Sequence, residues 1–344
     1  MATLKVNTIS GIGTEGVVLD GGLHFRSESY MTLPKGDTTQ RGRGRGLWGG
    51  GTTGTASDII QYAELSTTGN TTDFGNLSTA NQAAQAVSSS TRCCFGGGNN
   101  NPSYFNKIEF VTIATTSNVT DFGDLDAIKS GGQGCGNETR GIFGPGFSPT
   151  PTNRNVNTIE FITIASTGDA QDFGDFTEDI RGIAALSSPT RGLFAGGYAP
   201  SSPNLSNTIQ FITIATTGNA QDFGDTYTAR MNMSGGGCSN GIRGIFAGGV
   251  NLPSVTGYNV IDFVTIASTG NALDFGDLTV TGQGVGANSN SIRGVFGGRT
   301  NPSKQQVIDY VEIASSGNAK DFGDLLNTFA NCAGTSDSHG GLAE

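Results

Sequence analysis

The stretch Arg243-Gly-Ile-Phe-Ala-Gly-Gly249, followed by Asn259-Val-Ile-Asp-Phe-Val-Thr-Ile-Ala-Ser-Thr-Gly270 and Asp274-Phe-Gly-Asp277, is one copy of a unit that occurs six times in this chain. The arginine that opens each copy recurs every 47 to 52 residues, at Arg45, Arg92, Arg140, Arg191, Arg243 and Arg293. The Asp-Phe-Gly triplet keeps this period, starting at Asp73, Asp121, Asp172, Asp222, Asp274 and Asp321. The period predicts a repeat architecture, because one such unit cannot bury its own hydrophobic core.

Each copy contains four segments that predict short β-strands. The alternating segment Thr208–Ala215 is rich in β-branched and aromatic residues, and a Ser/Thr-rich turn joins its equivalents to Asp-Phe-Gly-Asp. The Arg-Gly segment is another strand, and a small, Gly-rich strand such as Ser234–Ser239 precedes it. Four strands repeated six times predict an all-β, six-bladed β-propeller over residues 42–344. The small-residue strand is expected innermost, where the blades crowd around the axis.

The two ends of the repeat region complete one blade between them. The first copy, at Arg45, follows an Arg/Gly-rich segment and lacks an inner strand. Phe329–Thr335, in contrast, is an inner-strand segment without a full copy after it. We therefore expect the C-terminal strand to join the first blade and close the ring, so that deletion of residues 326–344 destabilises the whole domain.

The strand ending in Gly-Gly, the Ile-Glu-Phe strand and the short aromatic return strand resemble kelch repeats, whose period is about 50 residues. The resemblance covers residues 42–336 and implies a kelch-like propeller with four strands per blade. The phenylalanine of Asp-Phe-Gly stands where kelch repeats usually have a late tryptophan. The resemblance is therefore to the kelch fold and does not extend to the kelch adaptor proteins.

Residues 1–41 lie outside the repeat and contain short β segments such as Leu4–Ile9, Gly16–Asp20 and Tyr30–Pro34. A segment of this length buries too little surface for an independent monomeric fold. It is expected to pack on the propeller, on copies of itself or on another protein. We predict a docking and oligomerisation segment, whose candidate contact residues are Leu4, Val6, Ile9, Phe25, Tyr30 and Leu33.

Leu4-Lys-Val-Asn-Thr-Ile9 and Tyr30-Met-Thr-Leu-Pro34 resemble N-terminal segments of bacteriophage tail-fibre and other virion proteins. The repeat phrase Ile159-Glu-Phe-Ile-Thr-Ile-Ala-Ser-Thr-Gly168 is similar to propeller repeats in structural proteins of marine phages, especially phages of cyanobacteria. The resemblance implies a non-enzymatic virion structural protein, made in the host cytoplasm and displayed as a tail fibre, knob or adhesin head. It would dock on other virion proteins as a homo-oligomer, with a trimer as the candidate state. A head-decoration or tail accessory protein without a receptor role is the alternative in this class.

The loops after each Gly-Gly differ from copy to copy, and surface loops on a rigid scaffold commonly carry binding. Their aromatic residues, together with nearby Asn, Ser and Thr, suit a host-surface glycan or protein. Insertions that the fold merely tolerates are the alternative interpretation. The candidate binding residues are Tyr104, Phe105, Phe147 and Tyr198.

Motifs that carry chemistry in other proteins are predicted to be structural here. Asp-Phe-Gly occurs six times without the partner motifs of a kinase. Aspartate pairs such as Asp172 and Asp175 suit calcium binding, turn capping or pairing with the repeat arginine, and the structural uses are favoured. The two histidines, His24 and His339, suggest no catalytic arrangement. We expect no catalytic residue, metal or cofactor. A carbohydrate-active propeller enzyme with two acids near the axis is the alternative from another class.

Composition narrows the remaining classes. A net charge of −10 argues against nucleic-acid binding, which needs a basic stripe. No apolar run reaches the roughly 18 residues of a membrane-spanning helix, so no membrane insertion is expected. The N-terminus lacks the apolar core of a secretory signal. The five cysteines show no metal-ligand spacing and are expected to be reduced core residues, with Cys93 and Cys94 on opposite faces of a strand.

Overall fold

The computed structural model of the chain describes residues 44–150, 154–200, 204–231, 236–253, 256–300 and 302–342. All of them belong to the compact unit Thr38–Glu344. The strands of the first half are β1 (Arg45–Gly49), β2 (Ser57–Glu64), β3 (Thr72–Asn81), β4 (Gln85–Ser88), β5 (Arg92–Gly96), β6 (Lys107–Thr112), β7 (Thr120–Asp124), β8 (Gly134–Gly136), β9 (Arg140–Phe143), β10 (Phe147–Ser148), β11 (Arg154–Thr163) and β12 (Gln171–Ile180). Those of the second half are β13 (Ala184–Ser187), β14 (Arg191–Tyr198), β15 (Leu205–Thr213), β16 (Gln221–Asp225), β17 (Gly237–Ser239), β18 (Arg243–Ala247), β19 (Val260–Thr265), β20 (Leu273–Asp277), β21 (Gly286–Ser289), β22 (Arg293–Thr300), β23 (Lys304–Glu312), β24 (Lys320–Phe329) and β25 (Ala333–Ser336). A short 3-10 helix, Gly340–Leu342, follows β25.

Six antiparallel sheets form the ring of a six-bladed β-propeller. From the innermost strand outward, blades 1 to 6 are β25-β1-β2-β3, β4-β5-β6-β7, β8-β9-β11-β12, β13-β14-β15-β16, β17-β18-β19-β20 and β21-β22-β23-β24. Blade 3 carries β10 as a further short strand, paired with β11. The prediction of an all-β propeller with six blades of four strands is confirmed.

Blade 1 is built from both ends of the repeat region. The C-terminal strand β25 pairs antiparallel with β1, with Gly46 opposite Ser336 and Gly49 opposite Ala333. The side chain of Trp48 on β1 is fully buried, and its indole nitrogen donates to the Gly286 carbonyl of blade 6 at 3.0 Å. The strand pairing expected from the sequence is therefore present, and blade 1 also contacts the last blade of the ring.

Strand register divides the ring into two faces. In blade 2, Ser88 lies opposite Cys93 and Arg92 lies opposite Thr112. The ends of the inner strands therefore share one face with the Ser/Thr-rich turns, and we call this the turn face. The loops after each Gly-Gly and the segments that lead into each inner strand lie on the opposite side, the loop face. Gly44, which precedes β1, lies on the turn face, as does the 3-10 helix after β25.

The repeat arginines hold neighbouring blades together. Each guanidinium lies 4.3 to 4.9 Å from the centroid of an aromatic ring in its own blade. Its Nη1 also donates to a carbonyl in the next blade, as Arg92 does to Ile164 at 3.1 Å and to Ala165 at 2.9 Å. Of the two structural uses considered for the Asp-Phe-Gly-Asp carboxylates, pairing with the repeat arginine is not observed among the described residues, where the guanidinium groups make these contacts instead.

The Asp-Phe-Gly-Asp segment receives the turn of the next blade. In blade 3, Phe173 is 2% exposed and packs edge-to-face on Phe161, with ring centroids 5.9 Å apart. Gly174 has φ of +143°, and a Cβ there would lie 2.5 Å from a backbone oxygen of the blade 4 turn. The Asp175 N–H donates to the Asn219 side chain of that turn at 3.0 Å. The motif is therefore structural, and the cap comes from the neighbouring turn rather than from the aspartate.

Hydrophobic clusters fill the spaces between the blades. All five cysteines are buried and free, as predicted. Cys93 and Cys94 belong to two different clusters, which agrees with their expected opposite orientations. Burial raises the pKa of Cys94 and of Cys332 to about 12, so both thiols stay protonated and act as small apolar groups.

Buried ion pairs occupy equivalent sites on the loop-face side of three blades. The pairs are Lys129 with Glu160 at 3.3 Å in blade 3, Arg230 with Asp262 at 3.0 Å in blade 5, and Arg299 with Asp309 at 2.8 Å in blade 6. In blades 1 and 4 a glutamine, Gln61 or Gln210, replaces the acid. An apolar residue then stands at the repeat position of Lys129 and Arg230: Phe329 beside Gln61, and Ile180 beside Gln210. At these equivalent sites an acid is accompanied by a cation and a glutamine by an apolar residue.

Candidate functional site

The structure brings three of the four predicted loop residues together on the loop face. The ring centroids of Tyr104 and Phe147 lie 5.8 Å apart. The guanidinium carbon of Arg181 lies 5.2 Å from the centroids of both Phe147 and Tyr198. We call these four residues the aromatic row. It crosses blades 2, 3 and 4, and each of its side chains is half-buried, so that part of each remains open to solvent.

Backbone hydrogen bonds fix the loops that carry the aromatic row. Phe147 exchanges two backbone bonds with Ser130, of 2.8 and 3.0 Å. Tyr198 and Arg181 pair in the same way, with bonds of 2.7 and 3.2 Å. The Asn155 side chain of blade 3 also donates to the Tyr198 carbonyl at 2.8 Å. Because these loops are held in place before any ligand arrives, little loop entropy is lost on binding.

Arg181 was missed by the sequence analysis. It stands six residues after the last aspartate of an Asp-Phe-Gly-Asp segment, where the other copies have neutral residues. An alignment of the copies would have shown this single charge. The cation lies over two aromatic faces at distances suited to cation–π attraction, and it gives the aromatic row a positive centre.

The other predicted residues fall elsewhere. Phe105 lies outside the aromatic row, and its ring faces the Lys107 ammonium, whose nitrogen is 5.2 Å from the ring centroid. The six predicted docking residues, Leu4, Val6, Ile9, Phe25, Tyr30 and Leu33, lie outside the described residues.

A cavity of about 40 Å³ lies on the propeller axis and is lined mainly by small residues of the six inner strands. The residues that line it are not acids, so the two axial carboxylates of the hydrolase alternative are not among the described residues at this cavity. Serine hydroxyls bridge successive inner strands across five of the six blade junctions. The bonds run from Ser187 to Gly136 O, Ser239 to Ser187 O, Ser289 to Ser239 O, Ser336 to Ser289 O and Ser88 to Ser336 O, at 2.5 to 2.8 Å.

His339 completes the sixth junction. Blade 3 has Gly136 in place of serine, and the carbonyl of Ser88 instead accepts a 3.0 Å bond from His339 Nε2. His339 Nδ1 accepts the Gly341 N–H at 3.1 Å, so the imidazole is the neutral tautomer with its proton on Nε2. A side chain at Gly341 would clash with the Gly136 carbonyl. The glycine at position 341 therefore lets the C-terminal segment approach the inner strand of blade 3 closely.

We predict that His339 makes the stability of the ring pH-dependent. Burial lowers the pKa of His339 below its ordinary value of 6.5. The stabilisation of the fold by the neutral imidazole is therefore complete above pH 6.5. It is lost as the pH falls from 6.5 toward the lower pKa of His339 in the folded protein. His339→Gln should lower the melting temperature at neutral pH. The difference in melting temperature between the parent chain and this variant should become smaller in mildly acidic buffer.

Comparing the parent chain with the His339→Gln variant removes the effect of the neighbouring Asp337 on the pH dependence of stability. Burial raises the pKa of that carboxyl to about 6, so its contribution has the opposite sign and grows as the pH falls through 6. Asp337 is present in both proteins and cancels in the difference between their melting temperatures. A difference in melting temperature that stays constant between neutral and mildly acidic pH would contradict the assigned role of His339.

No protein-family model matches the chain, and no curated protein matches it either. Within the described ranges, no helix has the length and apolarity needed to cross a membrane. The same residues contain no grouping of three His, Cys, Asp or Glu side chains suited to a metal ion.

Proposed function

We propose that the chain is a non-enzymatic virion structural protein of a tailed bacteriophage, with the propeller displayed as a tail-fibre, knob or adhesin head. Its N-terminal segment would dock on other virion proteins as a homo-oligomer, and its loop face would bind a glycan or protein of the host surface. The virion assignment rests on the resemblance of residues 1–41 and of the repeat phrase to phage proteins.

The observation that carries the binding role is the aromatic row. The elements that recur in every blade are used to join blades: the arginine contacts the next blade, and Asp-Phe-Gly-Asp receives the next turn. Tyr104, Phe147, Arg181 and Tyr198 instead belong to segments that differ between copies, yet they meet on one face. Tyrosine and arginine on rigid loops supply large contact area at low entropic cost.

The ends of the described propeller agree with such a display. Gly44 lies on the turn face, whereas the aromatic row lies on the loop face. The described chain therefore enters β1 on the face of the propeller opposite to the aromatic row.

A double variant, Tyr104→Ala with Tyr198→Ala, tests the binding role. Binding of the full-length chain to host cells should weaken by about thirtyfold, as expected for about 2 kcal/mol from an aromatic hot spot. Tyr227→Ala is the matched control, because Tyr227 is a 72% exposed aromatic residue outside the aromatic row. Equal binding by the double variant and the control would contradict the role of the row.

The virion assignment needs a separate test. Particles assembled with an epitope-tagged copy of the chain should be labelled by immunogold electron microscopy at the tips of tail fibres. Labelling distributed over the head, without adsorption defects in the double variant, would favour a decoration protein. Particles without label would contradict the assignment.

A further inference from the structure

A cavity of about 200 Å³ with several charged residues in its lining lies between blades 2 and 3. Its lining includes three carboxylates, Asp126, Glu160 and Asp172, and one guanidinium, Arg154. Asp126 follows the outer strand of blade 2, and the other three belong to β11 and β12 of blade 3. The cavity is therefore built across a blade junction and is distinct from the axial cavity.

One carboxylate oxygen in this cavity has no partner. Glu160 is 3% exposed, and its Oε1 lies 3.3 Å from the Lys129 ammonium. Its Oε2 has no hydrogen-bond partner among the described residues, whereas the Asp126 backbone N–H, like Lys129, stabilises the charged form of this carboxylate. A buried carboxylate oxygen without a donor costs free energy, which a ligand with a hydrogen-bond donor would recover.

The preceding blade shows what fills this space. Lys107 of β6 reaches the junction between blades 1 and 2, where its Nζ lies 2.6 Å from Ser78 Oγ and 2.9 Å from Thr79 Oγ1. The same nitrogen is 3.3 Å from Glu109 Oε1. In blade 2, a primary ammonium from the chain itself therefore binds the acid that is equivalent to Glu160.

The repeat matches the two junctions residue by residue. Counting from the Asp-Phe-Gly triplets and the Ile-Glu-Phe strands, positions 78, 79, 107 and 109 at the junction of blades 1 and 2 correspond to positions 126, 127, 158 and 160 at the junction of blades 2 and 3. All four of the latter line the cavity. Thr158 replaces the lysine and leaves its space open, and Asp126 replaces Ser78 and adds a negative charge.

Charge also favours one additional cation. Asp126, Glu160 and Asp172 carry three negative charges, and Lys129 and Arg154 carry two positive charges. One ammonium group would make the cluster neutral. The hydroxyls of Ser148, Thr150 and Thr158 surround the same space and suit a hydroxylated carrier more than an apolar one.

We propose that this cavity binds the protonated primary amine of an amino sugar, with Asp126 and Glu160 accepting from the ammonium and the hydroxyl side chains binding the sugar ring. The inference deepens the proposed function, on which its biological meaning rests, because it names a chemical class of surface glycan. The ligand would take the place that Lys107 occupies in blade 2.

The test uses calorimetric titration of the full-length chain with glucosamine in mildly acidic buffer. Glucose and N-acetylglucosamine, which lack the ammonium, should bind at least about tenfold more weakly, because a hydrogen bond to a charged group contributes about 1.5–3 kcal/mol. Ethanolamine, which carries the ammonium without the ring, should also bind more weakly.

Two variants and a control test whether glucosamine binds in this cavity. Thr158→Lys reproduces the arrangement of blade 2 and should abolish glucosamine binding while the melting temperature stays unchanged or rises. Asp126→Ser should weaken binding about tenfold, again through the loss of one charged acceptor. Thr208→Lys adds a lysine at the equivalent position of blade 4 and should leave binding unchanged.

The proposal is overturned if glucosamine binds no more tightly than glucose, or if Thr158→Lys binds it as well as the parent chain does. Equal affinity for ethanolamine and glucosamine would overturn the assignment to an amino sugar. These titrations do not depend on the particle. Unlabelled particles would therefore overturn the virion assignment alone, and failed titrations would overturn this site alone.

Discussion

A chain that ends at residue 325 is expected to lose the cooperative unfolding transition of the full-length protein. The deletion removes β25, so that the hydrogen-bonding groups of β1 and the indole of Trp48 lose their cover. It also removes Phe329, which is fully buried, and a lost phenylalanine side chain alone costs about 3–5 kcal/mol. The sum reaches the whole stability of an ordinary domain, about 5–15 kcal/mol. Thermal unfolding followed by circular dichroism measures the loss.

A second truncation separates the strand from the segment that follows it. A chain that ends at residue 337 keeps β25 but lacks His339 and the 3-10 helix. It should unfold cooperatively at a moderately lower temperature. If the chain ending at residue 325 melts like the full-length protein, the pairing of β25 with β1 does not hold the ring together.

Arg230→Ile is expected to destabilise the protein by about 3–5 kcal/mol, because it leaves a buried carboxylate without its cation. Arg230 and Asp262 are both fully buried, and Nη1 of the arginine lies 3.0 Å from Oδ2 of the aspartate. The arginine also donates to the Phe246 carbonyl at 3.3 Å. Urea unfolding of the single variant gives the free-energy difference.

The double variant Arg230→Ile with Asp262→Gln should recover most of that loss. Blade 4 already uses this combination: Ile180 is 2% exposed, and the Gln210 side chain accepts the Thr177 N–H at 3.1 Å. In blade 5, Asp262 accepts the equivalent N–H, from Tyr227, at 3.2 Å. We expect the double variant to lie within about 1.5 kcal/mol of the parent, since apolar replacement of a buried pair is often close to neutral. A double variant as unstable as the single one would contradict the equivalence of these sites.

The closed ring could be predicted from the sequence, because the period and the strand patterns indicate six blades. The first copy lacks an inner strand and the last copy is followed by an extra one, which indicates how the ring closes. The sequence places an inner strand within Phe329–Thr335, without a copy to belong to. The observed inner strand β25 overlaps the end of this segment, whereas Phe329 is the last residue of β24. The recurring arginine and Asp-Phe-Gly could be recognised as structural. Their partners could not be assigned, because these lie in the next blade, 72 residues away for Arg92 and 44 residues away for Asp175.

The site was less accessible for the same reason. Which loop residues meet depends on how neighbouring blades pack, so Tyr104 and Phe147 came together while Phe105 turned toward Lys107. The buried cations show the difficulty further. Arg299 reaches its acid from the segment after Gly-Gly, whereas Arg230 comes from the segment before an inner strand. Spacing alone does not reveal that both occupy one site.

The position of β1 between β25 and β2 has a mechanical consequence. A pull applied at Gly44 acts along the length of β1, and its hydrogen bonds to both neighbours run perpendicular to that direction. Both ladders are thus loaded in shear, so their bonds share the tension instead of opening one after another. A propeller held through this strand would resist unfolding with the strength of two ladders at once.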